Sequence, residues 1–151
     1  MATDRTPDTL DLADTAARLR LSVTRLSRRL RQESTTGLTP SQVSALAVVS
    51  GHGPLTLGAL AEHERVAPPS ITKLVTKLEA VGLVTRTVDP TDRRVTHVSA
   101  TKAGHDLIGE SRRRKTTWLA GRIRKLTPEE QVRLAAALDV LERLHQEDPQ
   151  P

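Results

Sequence analysis

The sequence predicts a mainly α-helical protein with a small antiparallel β-hairpin, and three patterns along its 151 residues indicate this. Apolar residues recur every three or four positions near both ends of the chain, which is the period of an amphipathic helix. The segments 83–89 and 95–100 instead alternate apolar with polar residues around a proline-containing turn, as hairpin strands do. We expect a thin aliphatic core, because Trp118 is the single Trp, Tyr or Phe residue.

The N-terminal third predicts two helices separated by Gly37. The first has an apolar period over residues 12–30, and the arginines between these positions face outward. Thr39 is placed to cap the second helix, and Pro40 suits its first turn. The second helix ends at the segment 51–54, where two glycines and a proline stop it.

The middle of the chain predicts a short strand followed by two closely spaced helices. Residues 55–57 are too few to stand alone, but they suit a third strand beside the later hairpin. A short helix then reaches Glu64, and another runs from Pro69 to Val81. The latter has an apolar stripe on one side and Ser, Thr and Lys on the other. Gly82 is placed to end it as a C-cap residue.

The C-terminal third predicts two further helices. Thr101 can cap a long helix that reaches about Leu126. The segment 127–130 then has the form of a capping box, with proline at the first helical position. The last helix, like the first, has more apolar surface than a small lobe can cover. A second copy of the chain would cover both, and folding back onto the same chain is the alternative.

The charge and composition limit the classes of function that the protein can have. A net charge of +5 suits a polyanionic partner, and basic residues concentrate between Arg86 and Lys125. The absence of cysteine excludes disulfides, thiolate metal ligands and cysteine nucleophiles. No apolar run approaches the length of a membrane span, and the N-terminus has no signal-peptide type of segment. We therefore expect no membrane association and a cytoplasmic location.

The motifs of common enzymes do not occur in the sequence. It has no glycine-rich phosphate loop, no Gly-x-Ser-x-Gly turn and no paired carboxylates in a β-strand setting. The five histidines lack the spacing of metal ligands, such as a His-x-x-x-His pair. We therefore expect a protein that is not an enzyme and that uses neither a metal nor a cofactor.

The helix from Pro69 to Val81 has the residues expected of a helix that reads DNA. An α-helix fits the major groove, where residues near its N-terminus meet the base edges. Lys73 is the best candidate for a guanine edge, and Lys77 suits a phosphate. Thr72 and Thr76 are candidates for contact with a thymine methyl group or with a phosphate. The candidate residues are Ser70, Thr72, Lys73, Thr76 and Lys77. The alternative is a solvated helix face whose lysines only confer solubility.

The turn at residues 90–94 is rich in arginine. An arginine on a narrow hairpin suits the minor groove, where A·T stretches concentrate negative potential, so Arg93 and Arg94 are candidates. Arg86, on the strand that leads into the turn, is a candidate phosphate contact. The alternative is an ordinary polar β-turn. We interpret the basic run 112–115 as the solvated face of the long helix rather than as a DNA contact.

The element order, the segment LGALAEHERVAPPSITKLVTKLEAVGLVTR and the hairpin DPTDRRVTHVSATKAG together resemble the MarR family of bacterial transcriptional regulators. The resemblance covers residues 10–144. It implies a single domain over 1–151, with a winged helix-turn-helix lobe at 38–100, a connecting helix at 101–126 and dimerisation helices at 9–33 and 127–146. It also implies that Asp92 braces Arg94 for entry into the minor groove.

The resemblance further implies a sequence-specific regulator of transcription that binds double-stranded DNA as a homodimer. We expect a repressor, and the sequence leaves activation as the alternative. A twofold dimer would require a pseudo-palindromic operator with half-sites about 10 bp apart. Family members typically sense a small aromatic molecule in a crevice among the first, second and long helices. The sequence itself has no recognisable pocket motif, and we expect Trp118 to be a core residue. The alternative function is a winged helix that binds another protein, which would have little use for so many basic residues.

Overall fold

The computed structural model describes residues 11–144, so the predicted helix ends at residues 9 and 146 lie outside the described part. Mainly helical structure with a small antiparallel sheet is confirmed. The elements are α1 (Leu12–Gln32), α2 (Pro40–His52), β1 (Leu55–Thr56), α3 (Leu57–Glu64), α4 (Pro68–Ala80), β2 (Val84–Val88), β3 (Thr96–Ala100), α5 (Lys102–Ile123) and α6 (Pro128–Arg143). None of the described helices is both long and apolar enough to cross a membrane.

Side-chain caps define where the helices begin, as the sequence predicts. Thr39, Thr101 and Thr127 each accept a hydrogen bond from the backbone of the following helix, which stabilises a helix start by about 1 kcal/mol. Gly82 adopts a φ of +74° just after α4, a conformation that strongly favours glycine, and turns the chain into β2. The long helix α5 ends at Ile123, three residues earlier than the sequence indicates.

The sheet contains the predicted hairpin and the predicted third strand. The spatial order is β1-β3-β2, with both pairs antiparallel. Leu55 of β1 lies opposite Val98, and β2 pairs with β3 from Val84 opposite Ala100 outward. The short β1 strand therefore joins the hairpin, which we call the wing (residues 84–100), to the start of α3.

One aliphatic core holds α2, α3, α4 and the sheet together, and α5 contributes to it near its start. The buried residues are Ala45, Leu46, Val49, Leu60, Ala61, Ile71, Val75, Leu78, Val84, Val98 and Ile108. The predicted apolar stripe of α4 is confirmed, except that Leu74 is only half-buried. At Gly104 a Cβ atom would clash with the carbonyl oxygen of Leu83, so α5 packs directly against the backbone that precedes the wing.

The helices α1 and α6 contrast with this lobe, because neither contains a buried residue. Their exposed large apolar residues are Leu12, Leu21, Val23, Leu26, Val132, Leu138, Val140 and Leu141. The expectation that Trp118 belongs to the core is wrong for the described chain. Its ring is half-buried, and its centroid lies 5.7 Å from the guanidinium carbon of Arg29 and 5.2 Å from that of Arg122. Both arginines therefore make cation–π contacts with the ring.

Candidate nucleic-acid interface

The polar side of α4 faces solvent, because its apolar side is held in the core by Ile71, Val75 and Leu78. All the predicted residues of this helix are exposed, namely Ser70, Thr72, Lys73, Thr76 and Lys77. The first turn contains no acidic residue, and no side chain caps it. The positive end of the helix dipole is therefore not neutralised locally. This helix end suits an anionic partner.

Lys73 and Lys77 lie one turn apart on the outer side of α4, so their ammonium groups point to the same region of solvent. Within residues 11–144, neither lysine has an ion-pair or hydrogen-bond partner. Arg86 and Arg94, in contrast, have hydrogen-bond partners within the protein. The two lysines are thus free to bind an external anion or a base edge.

The threonine hydroxyls of α4 are already engaged. Thr72 Oγ1 donates to the carbonyl oxygen of Pro68 at 3.1 Å, and Thr76 Oγ1 donates to that of Thr72 at 2.8 Å. Because each hydroxyl has only one hydrogen to donate, neither can donate to a phosphate without breaking its bond within the helix. Of the two predicted roles, contact between a threonine methyl and a thymine methyl needs no such change.

Arg86 lies on β2 but its guanidinium rests against α4. Its Nη2 donates to Thr76 Oγ1 at 2.9 Å and to the carbonyl oxygen of Thr72 at 3.3 Å. Its Nη1 lies 3.5 Å from Glu79 Oε2, and only 28% of the side chain is exposed. The phosphate contact assigned to Arg86 from the sequence stays a prediction. The observed position gives this arginine partners within the protein.

The tip of the wing presents an arginine held by a carboxylate. Arg94 donates from Nε to Asp92 Oδ1 and from Nη2 to Oδ2, both at 3.1 Å, and its backbone N donates to Oδ1 at 3.0 Å. The hydrogen bonds from Arg94 lower the pKa of Asp92, and those to Asp92 raise the pKa of Arg94. The Arg94 side chain is 91% exposed. Its guanidinium is therefore oriented while still projecting into solvent.

Arg93, the neighbour of this pair, is also exposed. In the described part of the chain it has no hydrogen-bond or ion-pair partner. The two wing arginines thus differ. Arg94 is fixed in direction by Asp92, whereas Arg93 keeps its rotamer freedom.

Asp89 organises the wing, and the sequence interpretation missed it. Its Oδ1 accepts from Thr91 N at 2.8 Å, Thr91 Oγ1 at 2.6 Å and Asp92 N at 3.1 Å. Its Oδ2 lies 3.1 Å from His97 Nε2. The Thr91 hydroxyl, followed by the other donors, holds the pKa of Asp89 well below its usual range. The signal was the sequence Asp-Pro-Thr-Asp, since an aspartate can bond the backbone two residues on and so form a turn.

A cavity of about 500 Å³ opens where α1 ends, beside α2 and α5. Its lining combines two cations, several hydroxyls and apolar side chains, namely Arg31, Ser34, Thr35, Thr36, Leu38, Val43, Ser44 and Lys115. Lys115 therefore differs from the rest of the run 112–115, whose three arginines are exposed as expected. Among residues 11–144, no group of three or more potential metal ligands is close enough to hold an ion.

The comparison with known proteins places this lobe in a family. The model of the MarR family matches residues 38–96, which span α2 to the start of β3. A helix-turn-helix-type transcriptional regulator of Mycobacterium tuberculosis is 39% identical over 135 residues, covering 89% of this chain and 94% of the relative.

Solved structures extend the likeness beyond the lobe. A MarR family protein of Bacillus stearothermophilus has a TM-score of 0.77 at 28% identity, covering 90% of this chain and 96% of the other. A mutant of MepR from Staphylococcus aureus, bound to an oligodeoxyribonucleotide, shares the fold with a TM-score of 0.70 at 21% identity, covering 87% and 98%. From the family match, the mycobacterial relative and these folds, the chain belongs to the MarR family of transcriptional regulators.

Proposed function

We propose that the protein is a sequence-specific DNA-binding regulator, a repressor, that binds a pseudo-palindromic operator as a homodimer. One observation carries the proposal: two unpaired lysines on the outer side of α4 lie in the same lobe as a pre-oriented arginine at the tip of the wing. The activity is binding, without a chemical step, and the partner is double-stranded DNA in the cytoplasm.

In the proposed complex, α4 lies in the major groove. Lys73, nearer the N-terminus, would donate to the O6 and N7 acceptors of a guanine, which distinguish this base from the others. Lys77, one turn further, would contact a phosphate and add affinity without sequence information. Thr72 and Thr76 would present methyl groups to thymine, because their hydroxyls are committed to the helix backbone. Ser70 lies at the helix start, where a phosphate is within reach.

The wing would enter the neighbouring minor groove. A minor groove narrowed by A·T pairs attracts a guanidinium through its enhanced negative potential. Asp92 would direct Arg94 into the groove, since both oxygens of the carboxylate hold the guanidinium. Arg93, which has no such restraint, suits a phosphate beside the groove.

The exposed apolar surfaces of α1 and α6 support the homodimer. Eight large apolar residues on these helices are exposed in the single chain, and a second copy would bury them. A twofold dimer would place two α4 helices about one DNA turn apart. A protein that covers two adjacent half-sites would obstruct RNA polymerase wherever the operator overlaps a promoter, and this favours repression.

The cavity beside the end of α1 supports control by a small molecule. It touches α1, α2 and α5, so a ligand there would contact both α1, one of the proposed dimer helices, and the lobe. Apolar side chains such as Leu38 and Val43 can contact an aromatic ring, while the hydroxyls can bond its polar groups. A ligand alters DNA binding only through different affinities for the two states of the protein.

The test is selection of bound sequences from a random double-stranded DNA pool, followed by titration of the best site at two salt concentrations. A pseudo-palindrome bound far above the random pool is the expected result. If only salt-sensitive binding without preferred sequence is found, the proposed function is wrong, and the winged helix is to be tested for binding a protein partner instead.

A further inference from the structure

We infer that Arg86 and Glu79 are positioning residues for DNA reading: together they fix the direction of the α4 surface relative to the wing, rather than contacting DNA themselves. This inference rests on the proposed DNA binding. It replaces the role that the sequence suggests for Arg86, that of a phosphate contact.

The contacts of Arg86 bridge the two elements that the proposed complex uses. Arg86 belongs to β2 of the wing, and its partners Thr72, Thr76 and Glu79 all belong to α4. The spacing of four and seven residues places these partners on one flank of the helix. A single guanidinium therefore bonds two successive turns of α4 and a third group further along. Movement of the helix relative to the wing would break all three contacts.

The bonding also fixes the face that α4 shows to DNA. Thr76 Oγ1 accepts from Arg86 at 2.9 Å and donates to the carbonyl oxygen of Thr72 at 2.8 Å. This pair of bonds leaves one orientation for the hydroxyl and therefore one for the neighbouring methyl group. The same geometry that holds the helix thus sets which group of Thr76 a base would meet.

The energetics favour a positioning role over a stabilising one. The Arg86 side chain is mostly withdrawn from solvent, and its Nε is buried without a hydrogen-bond partner in the described chain. An unsatisfied buried donor costs free energy, so a purely structural site would be better served by an apolar residue. Val84, which shares this side of β2, already supplies that apolar packing.

Arginine is required for this geometry because lysine cannot reproduce it. The planar guanidinium presents several donors in a rigid fork, whereas an ammonium is a point charge on a flexible stem. Arg86→Lys therefore keeps the charge but loses the bridge. Arg112→Lys is the matched control, since Arg112 is exposed on α5, belongs to the run interpreted as a solvated face, and has no partner among the described residues.

Glu79→Gln distinguishes a positioning role of Arg86 from a role in supplying charge to DNA, because the two roles predict opposite changes in operator affinity. If Arg86 only supplies charge to DNA, removing the nearby negative charge of Glu79 leaves operator affinity unchanged or raises it. If the pair positions α4, the same substitution lowers affinity by about two- to fivefold, as expected for a half-exposed ion pair. Because glutamine has almost the shape of glutamate, this variant also covers the case in which Arg86→Lys fails to fold.

The experiment measures affinity of the full-length chain for its selected operator and for single-base variants of it, at two salt concentrations. We expect Arg86→Lys to weaken operator binding roughly tenfold, with an altered base preference in the half-site and an unchanged salt slope. Arg112→Lys should change affinity by less than about threefold. Equal effects of the two Arg→Lys variants, or unchanged or tighter binding by Glu79→Gln, would overturn the inference. If the wild-type chain selects no operator, the proposed function fails as well.

Discussion

The winged lobe and the two terminal helices differ in how their apolar residues are buried. In the lobe, every large apolar residue of the α4 stripe except Leu74 is buried, and the described chain supplies all the packing. In α1 and α6 no residue is buried, although both helices have ordinary amphipathic patterns. An amphipathic pattern thus leads to buried apolar residues within one chain in the lobe, whereas in α1 and α6 the apolar residues stay exposed or half-buried.

This difference separates recognition from assembly. The lobe has a closed core, so the α4 surface and the wing keep their geometry in a single chain. The terminal helices expose Leu26 and Leu138 by 43% and 49%, and their apolar stripes need a further surface to become buried. If the protein binds DNA as proposed, the lobe recognises a half-site, whereas affinity for a full operator depends on the terminal helices.

The largest expected effect comes from breaking assembly. Leu138→Asp places a charge on the open stripe of α6, so we expect monomers and a fall in operator affinity of about a hundredfold or more, because two linked half-sites then bind separately. Analytical ultracentrifugation and a binding titration measure the two effects. Val66→Asp is the matched control for assembly, since Val66 is 43% exposed but lies in the lobe. A dimer that survives Leu138→Asp would contradict the role of α6.

The next effect comes from opening the core of the lobe. Ile71→Ala should destabilise the protein by about 2–5 kcal/mol, because it leaves a cavity under a fully buried side chain. Denaturant unfolding measures this loss. Leu12→Ala in α1 is the contrasting variant: at 73% exposure it should change the stability of the monomer by less than about 0.5 kcal/mol. Equal losses would mean that the two regions do not differ in packing.

Arg94→Ala tests the wing without touching assembly. We expect operator affinity to fall roughly ten- to hundredfold, with the loss concentrated on sites whose flanks are A·T-rich. Fluorescence anisotropy with A·T and G·C flanks measures both. Because the side chain is 91% exposed, the thermal midpoint should stay within the error of the wild type. Unchanged affinity would remove the wing from the mechanism.

Lys73→Ala and Lys77→Ala sharpen the division within α4. The first should relax base preference at one position of each half-site, since its proposed partner is a base edge. The second should weaken binding to all sequences equally and reduce the salt slope by about one. Titration against single-base operator variants at two salt concentrations distinguishes them. If Lys73→Ala lowers affinity equally on every sequence, Lys73 is a phosphate contact.

The smallest expected effect is a change in the pKa of Asp89. Thr91→Val removes the hydroxyl that contributes most to the low pKa of Asp89, so the pKa should rise toward the ordinary value of 3.8. Because the pKa in the folded chain is depressed, the contribution of Asp89 to wing order is complete above the ordinary aspartate pKa. It is lost as the pH falls through the depressed value. NMR titration of the carboxyl carbon measures the change, and identical midpoints would contradict the assigned cause.

Local physics explains why so much of the fold could be predicted. A cap at Thr39, Thr101 or Thr127 needs only residues within one turn, and each is confirmed. The third strand at residues 55–56 is confirmed as well, although its partner Val98 on β3 is distant in sequence. Even the contact between Asp92 and Arg94 spans only two residues.

Sequence patterns are least informative where a side chain can bond to residues distant in sequence. The partners of Arg86 on α4 lie 7, 10 and 14 residues away, so neither the strand alternation nor the helix period indicates them. Trp118 was assigned to the core because large aromatic residues are usually buried. In the structure, guanidinium groups from α1 and α5 cover its ring instead.

The sequence by itself determined the order of the elements, the capped helix starts and the buried side of α4, because these depend on periodicity and on bonds between near neighbours. Only the tertiary structure decided which polar atoms meet across elements: Arg86 with Thr76, and Asp89 with His97. Such contacts depend on the distance and angle at which two elements pack. A guanidinium or a carboxylate selects its partner from whatever that packing brings within about 3 Å.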